Sequence, residues 1–82
     1  MDYYVEVRIE LKHGVLDAEG ETVAKSLNLL GFPAKKVKTV KVYGITVDAK
    51  SEDEAKKIAE NASKKLLANP VIQNYFIEAK KA

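Results

Sequence analysis

The sequence has no cysteine, no tryptophan, a single methionine and a single histidine. The lack of cysteine removes both disulfides and thiolate metal sites as ways of reinforcing the fold. Long apolar runs are missing too: none approaches the roughly 20 residues that a membrane-spanning helix needs, and no charged-then-apolar segment opens the chain as a signal peptide would. These absences predict a soluble, cytoplasmic protein with no membrane partner. Neither sign of charge dominates. The 14 basic and 12 acidic residues leave a net charge of +2 and are spread along the whole chain, a mixed solvated surface rather than the clustered basic footprint of a nucleic-acid binder.

What is present fits one domain, residues 1–82. A chain of this length buries only about 60–65% of the surface its unfolded form exposes. The core is therefore expected to be thin, and self-association is the common remedy.

Tyr3, Val5, Val7, Ile9 and Leu11 alternate with Tyr4, Glu6, Arg8, Glu10 and Lys12, the period of two that marks a half-buried strand. His13-Gly14 breaks this pattern. Asp17 then stands where it can cap a helix, Val23, Leu27 and Leu30 fall on one helical stripe, and Gly31 and Pro33 end it. Between Lys36 and Asp48, Val40 and Val42 share one phase while Tyr43, Ile45 and Val47 share the other. That slip predicts a turn or bulge near Val42-Tyr43-Gly44 and two antiparallel strands. Ser51-Glu52-Asp53-Glu54 is a capping box opening a second helix, with Ala55, Ile58, Ala59, Ala62 and Leu66 as its buried stripe. Asn69-Pro70 stops it. A last strand over about Gln73–Ala79 places Tyr75 and Ile77 on one face, Phe76 and Glu78 on the other. The resulting β-α-β-β-α-β order predicts an α+β, ferredoxin-like sandwich: an antiparallel sheet of four strands, with two right-handed crossovers laying both helices on one face. Lys35, Lys36, Lys38 and Lys41 suit an exposed edge strand.

Catalytic machinery is not legible in this chain. His13, with Asp17 and Glu19 nearby in sequence, has neither the spacing nor the second histidine of a metal site, and reads as a solvated loop residue beside a helix cap. Ser26 and Ser63 lie within helices and Ser51 is a cap, so no serine is placed as an activated nucleophile. No glycine-rich phosphate loop occurs. The fold order also hosts RNA-binding domains, which stack bases on outward-facing aromatics of the central strands. Here those positions carry Glu6, Arg8, Glu10, Thr46 and Asp48, while Tyr43 shares the inward phase. A ligand-sensing or RNA-binding module is the alternative functional reading.

Two segments carry a more specific signal. Val15-Leu16-Asp17-Ala18-Glu19-Gly20, continued by the helix and Leu29-Leu30-Gly31-Phe32, resembles the loop, helix and LGF ending of the PurS family. Leu66-Leu67-Ala68-Asn69-Pro70-Val71-Ile72-Gln73-Asn74-Tyr75 resembles that family's LLANPVIxxY signature. The departures are Ala18 where the family usually has Pro, Ser63 where Cys is common, and Gly44 where a longer residue is common. The resemblance implies a non-catalytic small subunit of phosphoribosylformylglycinamidine (FGAM) synthase, acting in purine biosynthesis. It implies a PurL-type synthetase and a PurQ-type glutaminase as partners, ammonia passing between them, and ATP and Mg used by the complex, with no cofactor on this chain. A homodimer or tetramer is implied as well. The candidate partner-contact residues are Leu16, Asp17, Gly20, Asn69, Pro70, Val71, Ile72 and Tyr75. Loop, cap and helix-stop geometry accounts for the same residues equally well.

Overall fold

The computed structural model describes residues 1–82. Its elements run β1 (Asp2–Leu11), α1 (Ala18–Leu29), β2 (Val40–Asp48), α2 (Glu52–Ala62), a π turn (Ser63–Leu67) and β3 (Gln73–Lys81). The antiparallel α+β class with two helices is as expected from the sequence. The sheet has three strands in the order β2-β1-β3, with β1 antiparallel to both neighbours.

The central strand is the alternating segment. Tyr3, Val5, Val7 and Ile9 are buried on its inner face, where they form the core with Ala49, Ala55, Ala59, Ala68 and Ala79. Register places Tyr43, Ile45 and Val47 of β2, and Tyr75, Ile77 and Ala79 of β3, on that same face. The open face carries Tyr4, Glu6, Arg8 and Glu10 between Val40, Val42 and Thr46 on one side and Asn74, Phe76 and Glu78 on the other.

Two expectations are corrected here. The Lys36–Asp48 region does not turn back on itself: residues 40–48 form one continuous strand paired to β1 from Glu10↔Val40 to Asp2↔Asp48. The phase slip arises because β2 is apolar on both faces, with Val42 51% exposed on the open side. Gly44 is a site of close approach, not a turn. The Tyr4 ring and hydroxyl lie where a Cβ at Gly44 would point.

The second correction concerns α1. Because β1 and β2 are antiparallel neighbours, their connection leaves and returns at one end of the sheet, and no crossover carries α1 over a face. α1 makes no extensive contact with any strand or with α2, and none of its residues belongs to the hydrophobic core. β2–α2–β3 is the one connection that must cross the sheet, and α2 accordingly covers the inner face, closest to β3 and β1.

Ser51 caps α2 by accepting from the Glu54 N–H at 3.1 Å. Fully buried Ser63 donates its hydroxyl to the Ala59 carbonyl at 2.8 Å, and the widened last turn closes through Ala68 N–H to the Ser63 carbonyl at 2.9 Å.

The molecule is therefore long. Its radius of gyration is 16.0 Å, against about 12 Å for a compact chain of this length. The ten-residue β1 accounts for about 33 Å of length out of a 50 Å long axis. The remainder matches the roughly 18 Å of a helix the length of α1. α1 and the returning segment 32–39 thus make an arm that projects beyond one end of the sheet.

Candidate interface at the arm-bearing end of the sheet

The base of the arm is closed by one carboxylate. Asp17 caps α1 by accepting from the Gly20 N–H at 2.9 Å, and it accepts from the Thr39 N–H at 2.7 Å and the Thr39 hydroxyl at 3.0 Å. The cap is the role its position predicts, whereas the bonds to Thr39 tie together the two points where the chain enters and leaves the arm. The N–H of Thr39, then that of Gly20, hold the Asp17 carboxyl below the usual aspartate range, since each bond favours the charged form. Gly20 is required beside it. A Cβ there would run into the Val37 carbonyl oxygen and the Asp17 carboxylate, so α1 and the returning segment approach as closely as they do only with glycine at this point.

A second tie lies on the strand itself. Lys38 donates to Glu10 at 2.7 Å, and Arg8 stands 3.6 Å from the same carboxylate. The Lys38 bond is the main cause that holds the Glu10 carboxyl below its ordinary range. Further out, the Asn28 amide donates to the Ala34 carbonyl at 2.9 Å, and Gly31 ends the helix at φ +92°, as its place in the sequence predicts. Val23, Leu30 and Phe32 are left exposed, Leu30 at 73%.

The second family-like segment folds at the same end. The Lys12 N–H donates to the Ile72 carbonyl at 2.8 Å. Asn69 organises the turn through its side chain, which accepts from the Val71 N–H at 3.0 Å, while its own N–H donates to the Gln73 side chain at 2.7 Å. A cleft of about 250 Å³ is bordered by Asp17 and Glu19 from the first segment and by Leu67 and Gln73 from the second.

The eight candidate residues therefore separate by what they touch. Asp17 and Gly20 are turned into the clasp, Asn69 shapes its own turn, and Tyr75 sits opposite Ile9 against the core. Leu16, Pro70, Val71 and Ile72 point outward, Val71 at 78% exposure. Thr39 and Lys38, which complete the arm base, escaped the sequence reading because nothing local marks a partner 22 or 28 residues away.

The open face is a second, more polar surface. Arg8 lies over the Phe76 ring at 4.9 Å and Lys80 over the Tyr4 ring at 5.9 Å, so both outward aromatics already carry a cation. Tyr43 is on the inner face. The stacking platform of an RNA-binding sheet is not assembled. His13 is exposed in the turn after β1, and the two carboxylates nearest to it in sequence, Glu10 and Asp17, are engaged by Lys38 and Thr39.

Fold and site together define a small antiparallel α+β domain whose distinguishing surfaces are an apolar arm and an apolar sheet end. Residues 4–81 match the family model for PurS, described as phosphoribosylformylglycinamidine (FGAM) synthase. The chain is 55% identical over 73 residues to the phosphoribosylformylglycinamidine synthase subunit PurS of Archaeoglobus fulgidus, covering 88% of this chain and 91% of the relative. Its structure is similar to the crystal structure of PurS from Methanocaldococcus jannaschii, with a TM-score of 0.89 and 44% identity over 98% of each chain. A chain in the structure of PurLQS from Thermotoga maritima is similar at a TM-score of 0.89 and 27% identity, covering 98% of this chain and 99% of that one. The chain belongs to the PurS family.

Proposed function

We propose that this chain is the small subunit of phosphoribosylformylglycinamidine synthase in purine biosynthesis, bridging a PurQ-type glutaminase and a PurL-type synthetase in the cytoplasm. The observation that carries the reading is similarity over the whole chain, to PurS relatives and to a chain of the PurLQS structure alike. The complex converts formylglycinamide ribonucleotide, glutamine, ATP and water to formylglycinamidine ribonucleotide, glutamate, ADP and phosphate. Glutamine hydrolysis and ATP-dependent, Mg-assisted activation of the substrate amide belong to the partner chains, and ammonia passes between their sites. This chain supplies surface. The outward residues Leu16, Pro70, Val71 and Ile72 form the contact region, Asp17, Gly20 and Asn69 hold its backbone in shape, and Tyr75 supports it from the core. The chain self-associates as a homodimer or a dimer of dimers within the complex.

The test is reconstitution. Purified synthetase and glutaminase are assayed for glutamine-dependent product with and without this chain, and the mixture is passed through a sizing column. Activity that requires the chain, with co-elution of all three components, is the expected result. Unchanged activity without co-elution would refute the bridging role.

A further inference from the structure

Beside the Asp17 clasp lies a cleft whose free charges are all of one sign. β1 leaves the sheet through the turn Lys12-His13-Gly14-Val15, closed by the Val15 N–H on the Lys12 carbonyl at 3.1 Å. Gly14, third in this turn, has φ +87°, as a type II turn requires. The turn forms one wall of a cleft of about 290 Å³, and Lys36 and Lys38 of the segment returning from the arm form another. Glu10 and Asp17 are the only carboxylates in its walls, and both are already engaged. Lys38 donates to Glu10. Asp17 accepts from the Thr39 and Gly20 N–H groups at the N-terminus of α1, where the helix dipole offsets its charge. Lys12, which is half-buried, and Lys36 belong to no ion pair. The N–H groups of His13 and Gly14 have no backbone acceptor either.

We propose that this cleft binds a small phosphate monoester, its phosphoryl group held between the ammonium groups of Lys12 and Lys36 with His13 as a further donor. Two lysines without a local counter-ion match the charge of about −1.5 to −2 that a phosphate monoester carries at pH 7. Its three free oxygens also offer an acceptor to each of the three side chains, whereas a carboxylate offers two oxygens and a single charge. The volume lies at the lower end of the range for small-molecule sites, about 300 Å³, which suits a phosphorylated sugar. A nucleic acid is disfavoured by the same observations, for the cations form one cleft rather than a stripe and the sheet offers no stacking platform. Lys12 and His13 precede the arm and Lys36 follows it. A bound phosphoryl group would therefore join the same two stretches of chain that Asp17 joins to Thr39, and steady the arm against the sheet. The site is read on this chain alone and does not depend on the bridging role.

His13 is the only histidine, so its ring signals in a proton NMR spectrum need no further assignment. Ribose 5-phosphate is titrated into the full chain in phosphate-free buffer at constant pH and ionic strength, with ribose and sulfate as controls. The His13 signals are expected to shift saturably with a Kd of about 1 mM or tighter, ribose to do nothing, and sulfate to bind more weakly. Lys12→Gln and Lys36→Gln should each weaken binding about tenfold. Lys57→Gln, an equal charge change at an exposed position on α2, should leave it unchanged. Circular dichroism checks that all three variants fold. No saturation by about 10 mM, equal affinity for sulfate, or equal weakening by Lys57→Gln overturns the proposal. If ribose 5-phosphate does not bind, and Lys12→Gln or Lys36→Gln abolishes co-elution with synthetase and glutaminase, the cleft takes a partner's carboxylate. The phosphate site then fails while the bridging role stands. Saturable binding by the chain, with reconstitution negative, leaves the site and refutes the bridging role.

Discussion

Asp17 shows how one side chain can serve two scales. Its cap on α1 was legible from its place before a helical stripe. Its bonds to Thr39 were not, because hydrogen-bond partners distant in sequence leave no periodicity. The charge state of the carboxyl makes its contribution testable. Its folded-state pKa is lowered from 3.8 by bonds from Thr39 and Gly20, so the unfolded chain takes up a proton first as the solution is acidified. The stabilisation is fully present above the ordinary aspartate value and is lost as pH falls through the lowered folded value. Thermal unfolding followed from pH 7 down to pH 2 should show wild-type stability declining below about pH 4. Asp17→Asn should start with a lower Tm at neutral pH and lose less of it on acidification. Equal slopes for the two proteins would show that the clasp is not a charged one.

At the scale of elements, the strongest sequence signals were those in which local chemistry and tertiary burial agree. β1 alternates because one face meets α2 and the other solvent. α2 begins where Ser51 supplies an acceptor for the Glu54 N–H, and Ser51→Ala should cost about 1 kcal/mol, measured as a shift in the denaturant midpoint with an unchanged slope. A loss well below that would mean that water replaces the hydroxyl at no cost. β2 was misread for a physical reason. Alternation reports burial on one face only, and β2 carries valines on its open side, so the phase change that suggested a turn was two faces of one strand. The same logic explains the arm. A β-α-β pattern does not state whether its strands are parallel or antiparallel neighbours, and only the parallel case forces the helix across the sheet. Of the candidate site, the motifs marked two segments that the fold brings to one end of the sheet, yet could not separate residues that face outward from those that shape the backbone. That division depends on Thr39 and Val37, which the motifs do not contain, and on Gln73, at a position the second motif leaves open.

For the whole molecule, the arm and the body are separate in their packing. The core comprises residues of β1, α2, the two strands flanking β1 and their connections, and no residue of α1. Replacing residues 12–38 by Asn-Gly, the favoured two-residue hairpin turn, should therefore leave a body that unfolds cooperatively. Circular dichroism with thermal melting measures this, and a molten or unfolded product would show that the arm contributes to the core after all. Since Glu10 is already paired with Val40, such a variant asks the sheet to make no new register.

Topologically, the arm is the loop of a hairpin grown to the size of a helix. A loop of this kind can change length without shifting a single cross-strand pair. Each helical residue inserted into α1 would move the tip outward by about 1.5 Å and leave the sheet untouched. Arm length is thus a spacer that can drift independently of the fold.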